Sequence, residues 1–398
     1  MQGDLKATVE GKKEQIEGKF QPKWWGDTLG LYLHVPFCAT ACDFCAFYQV
    51  QGDRDGILNY LRGVERELGY LPEGIEIDTC FWGGGTPGLL RAEDLDTLCR
   101  ATIEKLGTPK EEWTVEMAPS AVKADKLEVL KACGVTRISM GVQSFDDRLL
   151  DKLGRQHSRK QIFKAYELIR ECGFESVNLD LIFAIPGQDE QRLLSDIDAA
   201  VALAPDHLST YCLTFEEDTA LYVQLSEGKV ALDEELEERL YRTSWDAMAN
   251  AGFEQYEISN YAKPGKQCLH NLNTWKMDQW IGLGPSGASQ FRGRRFANAP
   301  DLDDWLKGVA SGELCRVDEV DLSVDMLWED CLIFGLRMNQ GIDLDALQAR
   351  FDRPIDSRIE ARLRRLESEG ALEREGSRLR LTEQGRLVAD AIGAELMS

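Results

Sequence analysis

The sequence predicts an α/β fold of parallel βαβ units, followed by a smaller helical module that ends in a hairpin. Three observations carry this. Short β-prone runs recur six times between residues 31 and 215, segments with helical spacing separate them, and from about Leu322 the texture turns helical. Strands that alternate with helices imply a parallel sheet with right-handed crossovers. At 398 residues the chain has room for two or three domains of ~150 residues each.

Residues 1 to about 28 mix Lys, Glu and Gly with little periodicity and read as a loosely held extension. The expected strands are Leu31–Val35, Ile77–Trp82, Trp113–Met117, Thr136–Val142, Ser176–Ala184 and Leu208–Phe215. Between them, Leu95, Leu98 and Leu106 share a helix face closed by Gly107, and Leu127 and Leu130 one closed by Gly134. A third helix opens at Ser158 with Gln161 three residues on, a capping box, and ends at Gly173. Six such strands fit an incomplete β/α barrel or a doubly wound sheet, and spacing alone does not choose. In both, ligands gather at the carboxyl ends of the strands.

An acidic helix from Asp233 to about Asn250 closes a core of residues 29–260. A Gly- and aromatic-rich connecting segment follows at 261–315. In 316–398, three helical segments lead to Leu372, a polar turn at Glu375–Ser377, Leu379–Leu381 and a helix from Thr382, in the manner of a winged helix. That stretch holds 12 Arg, no Lys and 18 acidic residues, so packing or partner docking is expected of it rather than DNA binding.

The whole chain carries a formal charge of -23, which opposes the counterion release that drives nucleic-acid affinity. No apolar run approaches the ~20 residues of a membrane span. The polar start lacks the apolar region of a secretory signal, so a cytoplasmic protein is expected. Eleven cysteines suit that compartment, and eight of them are scattered singly as small buried hydrophobes.

The other three fall within eight residues. Cys38, Cys42 and Cys45 form C-x3-C-x2-C directly after the first strand. Structural zinc sites usually show paired C-x2-C halves. No second half follows, although a zinc site completed by His34 is the alternative. Three thiolates suit a [4Fe–4S] cube with one iron left open. The amino and carboxylate groups of S-adenosylmethionine can chelate that iron, which brings the sulfonium close enough to accept an electron. Phe81-Trp82-Gly83-Gly84-Gly85-Thr86-Pro87, after the second strand, supplies glycines where backbone must approach a ligand.

The runs YLHVPFCATACDFCAF, FWGGGTP, VEMAPS, ISMGVQSF, LGRQH and NLDLIFAIPGQ, in that order, resemble the oxygen-independent coproporphyrinogen III oxidase family. The resemblance implies a partial (β/α)6 radical S-adenosylmethionine barrel with a winged-helix-like C-terminal module. It also implies S-adenosylmethionine contacts at Tyr32, Phe44, Gly84, Gly85, Thr86, Glu116, Gln143, Arg155 and Asp180. Within the family, the dehydrogenase branch has a fourth cysteine two residues beyond the triplet, where this chain has Phe47. Its N-terminal region is also longer than the 37 residues that precede Cys38. Both departures favour the haem-chaperone branch.

Leu269-His270-Asn271-Leu272-Asn273-Thr274-Trp275 resembles that branch's HNxxYW motif, with Thr274 in place of Tyr. Imidazole is an ordinary axial ligand of haem iron, which makes His270 the expected haem contact. The resemblance implies haem delivery to acceptor haem proteins, respiratory ones among them, and a possible homodimer. The enzymatic alternative is oxidative decarboxylation of coproporphyrinogen III propionates. Arg292, Arg294 and Arg295 are a candidate anchor for propionates in either case. His34 is expected to pack or hydrogen-bond near the triplet, and His157 and His207 carry no signal of their own.

Overall fold

The computed structural model describes residues 26–397, so the expected extension lies almost wholly outside the described residues. Six strands run parallel in chain order: β1 (Leu29–Val35), β2 (Thr79–Gly84), β3 (Glu112–Met117), β4 (Arg137–Gln143), β5 (Ser176–Phe183) and β6 (His207–Cys212). Their order in the sheet is the order in the chain. A doubly wound sheet reverses its strand order at a switch point. This one does not, which selects the incomplete barrel.

Alternation along the strands sorts their side chains. Leu31, Leu33 and Val35 of β1, Cys80 and Trp82 of β2, and Trp113 and Val115 of β3 are buried in the core with the flanking helices. The opposite face presents Gly30, Tyr32 and His34, in register with Thr79, Phe81 and Gly83 and, beyond them, Glu112 and Thr114. That face is polar. The capping box forms as expected: the Ser158 N–H donates to Gln161 Oε1 at 2.9 Å, opening the helix Arg159–Glu171.

Residues 254–321, which include the expected connecting segment 261–315, do more than connect. β7 (Glu254–Glu257) and β8 (Asn260–Ala262) add antiparallel strands beyond β6. β9 (Gln279–Leu283) returns to lie parallel beside β1. β10 (Ala288–Phe291), β11 (Arg294–Asn298) and β12 (Arg316–Asp321) continue from it, completing a twelve-stranded sheet. Residues 316–321 thus pair with the large sheet.

The C-terminal module follows, with helices Val324–Leu336, Leu344–Phe351 and Ser357–Ser368 over β13 (Ile342–Asp343), β14 (Leu372–Glu375) and β15 (Arg378–Leu381). Its core is separate, centred on Leu332, Leu363 and Leu379, and Met277 and Trp280 join that core from the large-sheet side. Among the described residues, no helix is long and apolar enough to cross a membrane.

Candidate functional site

A cavity of about 1000 Å³ opens where β2 to β6 end, between the barrel and the C-terminal module. That is the upper end of the ~300–1,000 Å³ usual for small-molecule sites. Phe44, Gly84, Gly85, Thr86, Glu116, Gln143, Arg155 and Asp180 all line it, as does Cys45.

The cysteine loop is held by backbone. Cys38 N–H donates to Val50 O at 3.0 Å, Asp43 N–H to Leu153 O at 3.1 Å, and Cys45 N–H to Cys42 O at 3.2 Å. The glycine turn is stitched to the start of the same loop, with Gly85 N–H on Val35 O and Thr86 N–H on Phe37 O, both at 2.8 Å. A Cβ at Gly85 would stand 2.8 Å from those two carbonyl oxygens. Only glycine allows this approach.

Cys38 Sγ lies 3.6 Å from Thr86 Oγ1, and Arg155 Nη1 donates to Cys42 Sγ at 3.2 Å. Burial pushes the Cys38 and Cys45 thiols up, and each also feels the charge of neighbouring thiols and of Arg155. Desolvated thiolates so close together need a positive partner. Among the described residues, no three His, Cys, Asp or Glu side chains converge as ligands of one ion do. Three cysteines spaced along one loop at the cavity's edge suit ligands to separate irons of a cube.

Deeper in the cavity sit two half-buried carboxylates. Burial and, after it, the Asp180 charge raise Glu116 to about 8, against the opposing Arg137 charge and Gly84 N–H. Asp180 is raised by burial too, although Asn178 Nδ2 donates to it at 2.7 Å and Ser139 Oγ at 3.3 Å. Two acids in one site suit a ligand bearing an ammonium or hydroxyl donors. Arg155 anchors through Nη2 to Gly141 O at 2.9 Å and keeps a buried Nε with no partner. Gln143 takes a left-handed φ of 69°, at a bulge in the β4–β5 pairing. Tyr32 lies beneath the cavity, stacked on Phe81, with its hydroxyl 3.2 Å from His34 Nδ1.

His270 is not brought to this cavity. It lies at the amino end of the barrel, on the short helix Leu269–Trp275, with Nδ1 3.0 Å from Thr79 Oγ1. The ring is buried beside Phe81, and burial followed by the Arg137 charge holds its pKa near about 4. The imidazole expected to contact haem is here a buried, neutral ring. Glu112 explains why: its carboxylate accepts from the Leu269 and His270 N–H groups at 3.1 and 3.2 Å and from Cys268 Sγ at 3.3 Å. It caps the helix and seats it as a plug.

The arginine anchor is also displaced. Arg294 pairs with Glu319 and Asp321, and Arg295 with Asp330, all away from the cavity. Arg292 lies over the Phe291 ring. His34 hydrogen-bonds to Tyr48 O at 3.1 Å, as expected. His207 bridges Asn178 and Tyr256 inside the barrel, and His157 bonds to Val142 O. Sequence reasoning missed Glu112 and Arg137, whose inward-facing charges on a strand were the available signal. It also missed Arg337 and Arg386, which line the cavity from the C-terminal module.

The Radical SAM superfamily model matches residues 32–200, and the HemN C-terminal domain model matches residues 322–388. The chain is 32% identical over 367 residues to the protein named heme chaperone HemW of Bacillus subtilis, covering 91% of this chain and 97% of that one. It is 34% identical over 381 residues to the protein of the same name from Mycobacterium tuberculosis, covering 94% and 95%. The solved structure of coproporphyrinogen III oxidase (HemN) from Escherichia coli superposes with a TM-score of 0.81 at 22% identity, over 93% of this chain and 90% of that one. At that identity the superposition shows the fold: a radical SAM α/β barrel with its C-terminal module. On near full-length identity above 30%, the chain belongs to the HemW branch of the oxygen-independent coproporphyrinogen III oxidase family, within the radical SAM superfamily.

Proposed function

We propose that this chain is a haem-binding chaperone that carries a [4Fe–4S] cluster and S-adenosylmethionine at the carboxyl end of its barrel and hands haem to acceptor haem proteins. One observation carries the reading. A single large cavity has a polar inner wall, made of the residues that match the family's nucleotide contacts, and an apolar, arginine-bearing outer wall. The relatives named heme chaperone HemW, similar over nearly their whole length, support the haem function.

In this reading Cys38, Cys42 and Cys45 ligate three irons. When bound, the cluster supplies one-electron chemistry and an open iron for the methionine end of the nucleotide. The chain's own residues position that nucleotide. Arg155 has a free Nε with which to fork onto the α-carboxylate. Glu116 and Asp180 accept from the ammonium and ribose hydroxyls, an exchange that relieves their mutual repulsion. Gly84, Gly85 and Thr86 present backbone, Gln143 an amide and Phe44 a flat apolar face, with Tyr32 supporting from below. His270 reaches haem only if the plug helix lifts from Glu112. Respiratory haem proteins as acceptors, a homodimer and a cytoplasmic location belong to the same proposal.

The test is haem titration of anaerobically reconstituted protein, run beside product analysis with coproporphyrinogen III and S-adenosylmethionine. Haem binding without porphyrinogen turnover, followed by transfer to an apo-haem protein, is expected. Conversion to protoporphyrinogen overturns the reading.

A further inference from the structure

We propose that Arg337 and Arg386 form a carboxylate clamp for a flat, dianionic macrocycle, the propionate edge of haem, so that the C-terminal module supplies the second half of the binding site. This deepens the chaperone reading and rests on it.

Both arginines line the cavity on the wall opposite the cysteine loop. Arg337 closes the helix Val324–Leu336, and Arg386 lies in the helix Glu383–Leu387. A guanidinium offers five N–H donors in a fixed fork, and neither residue has spent them all. Each keeps a buried Nε without a hydrogen-bond partner. Arg386 gives Nη1 to Gln255 Oε1 at 2.8 Å and lies 4.7 Å over the Trp245 ring. Arg337 gives Nη1 to Asp390 at 2.5 Å and lies 5.0 Å over Trp275. Stacking on an indole fixes the plane of each fork in advance, which reduces the entropy lost when it is filled. The two sit close: Asn339, two residues beyond Arg337, donates to the same Gln255 Oε1 at 3.0 Å.

The acids that act on Arg386 are Glu383 and Glu373, and those on Arg337 are Asp390 and Glu257. Asp390 is 91% exposed, and an ion pair so open to water is weak, so a ligand carboxylate can replace it. Glu216 also lines the cavity, and Glu257 feels the Arg337 charge from behind. Glu257 is buried, whereas Glu116 and Asp180 are half-buried and belong to the inner wall. Between the walls, the cavity is edged by large apolar side chains left in water: Phe47 is 69% exposed, Val388 44% and Tyr211 41%. A ligand with a broad apolar face and carboxylates along one edge matches this sequence of surfaces. The arginines first expected to do this work, Arg294 and Arg295, are already neutralised by acids elsewhere.

The experiment titrates full-length, cluster-loaded protein with haem and with haem dimethyl ester, whose carboxylates are masked. The proteins are the wild type, Arg337→Gln, Arg386→Gln and the double variant, and S-adenosylmethionine binding is measured on the same samples. Haem should bind the double variant about 10- to 100-fold more weakly than the wild type, the scale of charged hydrogen bonds lost. The ester should bind wild type and double variant equally weakly. The wild-type comparison of haem with its ester needs no variant to fold. Equal affinity for the two, or a double variant that binds the nucleotide and titrates haem like wild type, overturns the clamp alone. Wild-type protein that takes the nucleotide but no haem overturns the clamp and the chaperone reading together.

Discussion

The two ends of the barrel are built from the same six strands and are finished in opposite ways. At the amino end most polar groups have found one another: Glu112 caps the plug helix, Thr79 engages His270, and Asn178 and Tyr256 hold His207, while Asn273 Nδ2 and Trp275 Nε1 of that helix stay buried without a partner. At the carboxyl end they have not. Two half-buried carboxylates interact with each other, three thiols crowd a loop, and Arg155 keeps an unpaired Nε. Desolvation costs are largely met internally at one end and left for a ligand to offset at the other. Arg137 runs between them, its charge felt by His270 below and by Glu116 and Asp180 above.

The largest effect should come from the open end. Serine at Cys38, Cys42 or Cys45 is expected to abolish the cluster, read as lost iron and lost visible absorbance, while the thermal transition of the plugged end stays cooperative. Full iron content in all three variants would remove the ligand assignment. Next comes Glu112→Ala, which strands two N–H groups, a thiol and the Arg137 charge. Breaking a buried charged network of this kind costs about 3–5 kcal/mol, measurable by denaturant unfolding. The folded fraction should still bind S-adenosylmethionine within about threefold, the scatter expected between sites that share no partner. A collapse of nucleotide affinity with stability retained would mean that the two ends are not separable.

Gly85→Ala reverses the pattern. The added methyl meets the Val35 and Phe37 carbonyls that position the cysteine loop, and overpacking of this kind costs about 1–3 kcal/mol. The loss should appear mainly as nucleotide affinity reduced about 10- to 100-fold in calorimetry. Affinity within twofold of wild type would show that the loop has slack which the hydrogen bonds do not suggest.

Most of the open end was legible because its signals are local. Cys38, Cys42 and Cys45 sit within one loop, Gly84 to Thr86 within one turn, and the strands that deliver Glu116 and Asp180 announce themselves by alternation. What was not legible depends on long-range pairing. β9 joins β1 across some 250 residues, and nothing in Gln279–Leu283 names that neighbour. Arg337 and Arg386 reach the cavity only because the C-terminal module packs across it, and a lone arginine on a helix reads as a solvated charge. The seat of His270 was hidden for a related reason. Its motif marks a helix, but the strand-borne Glu112 that seats that helix lies 158 residues away.

The finest separation of the two ends is by pH, in protein free of nucleotide. His270 has a folded pKa near about 4 against an ordinary 6.5. The unfolded chain therefore takes up this proton first, and the stability it contributes is complete above pH 6.5 and lost as pH falls toward 4. Glu116 works the other way. Raised from 4.5 to about 8, it stabilises the fold fully below pH 4.5 and loses that contribution as pH rises through 8. His270→Gln should flatten the acidic limb of melting temperature against pH, and Glu116→Gln the alkaline limb, each on the order of a few °C. Saturating S-adenosylmethionine should reproduce the second effect in wild type, because its ammonium favours the ionised carboxylate. The His270→Gln protein should also titrate haem as wild type does, since the imidazole does not face the cavity. Lost haem binding at an unchanged melting temperature would instead show the plug helix lifting from Glu112 to expose the ring, and the closed end would prove to be a door.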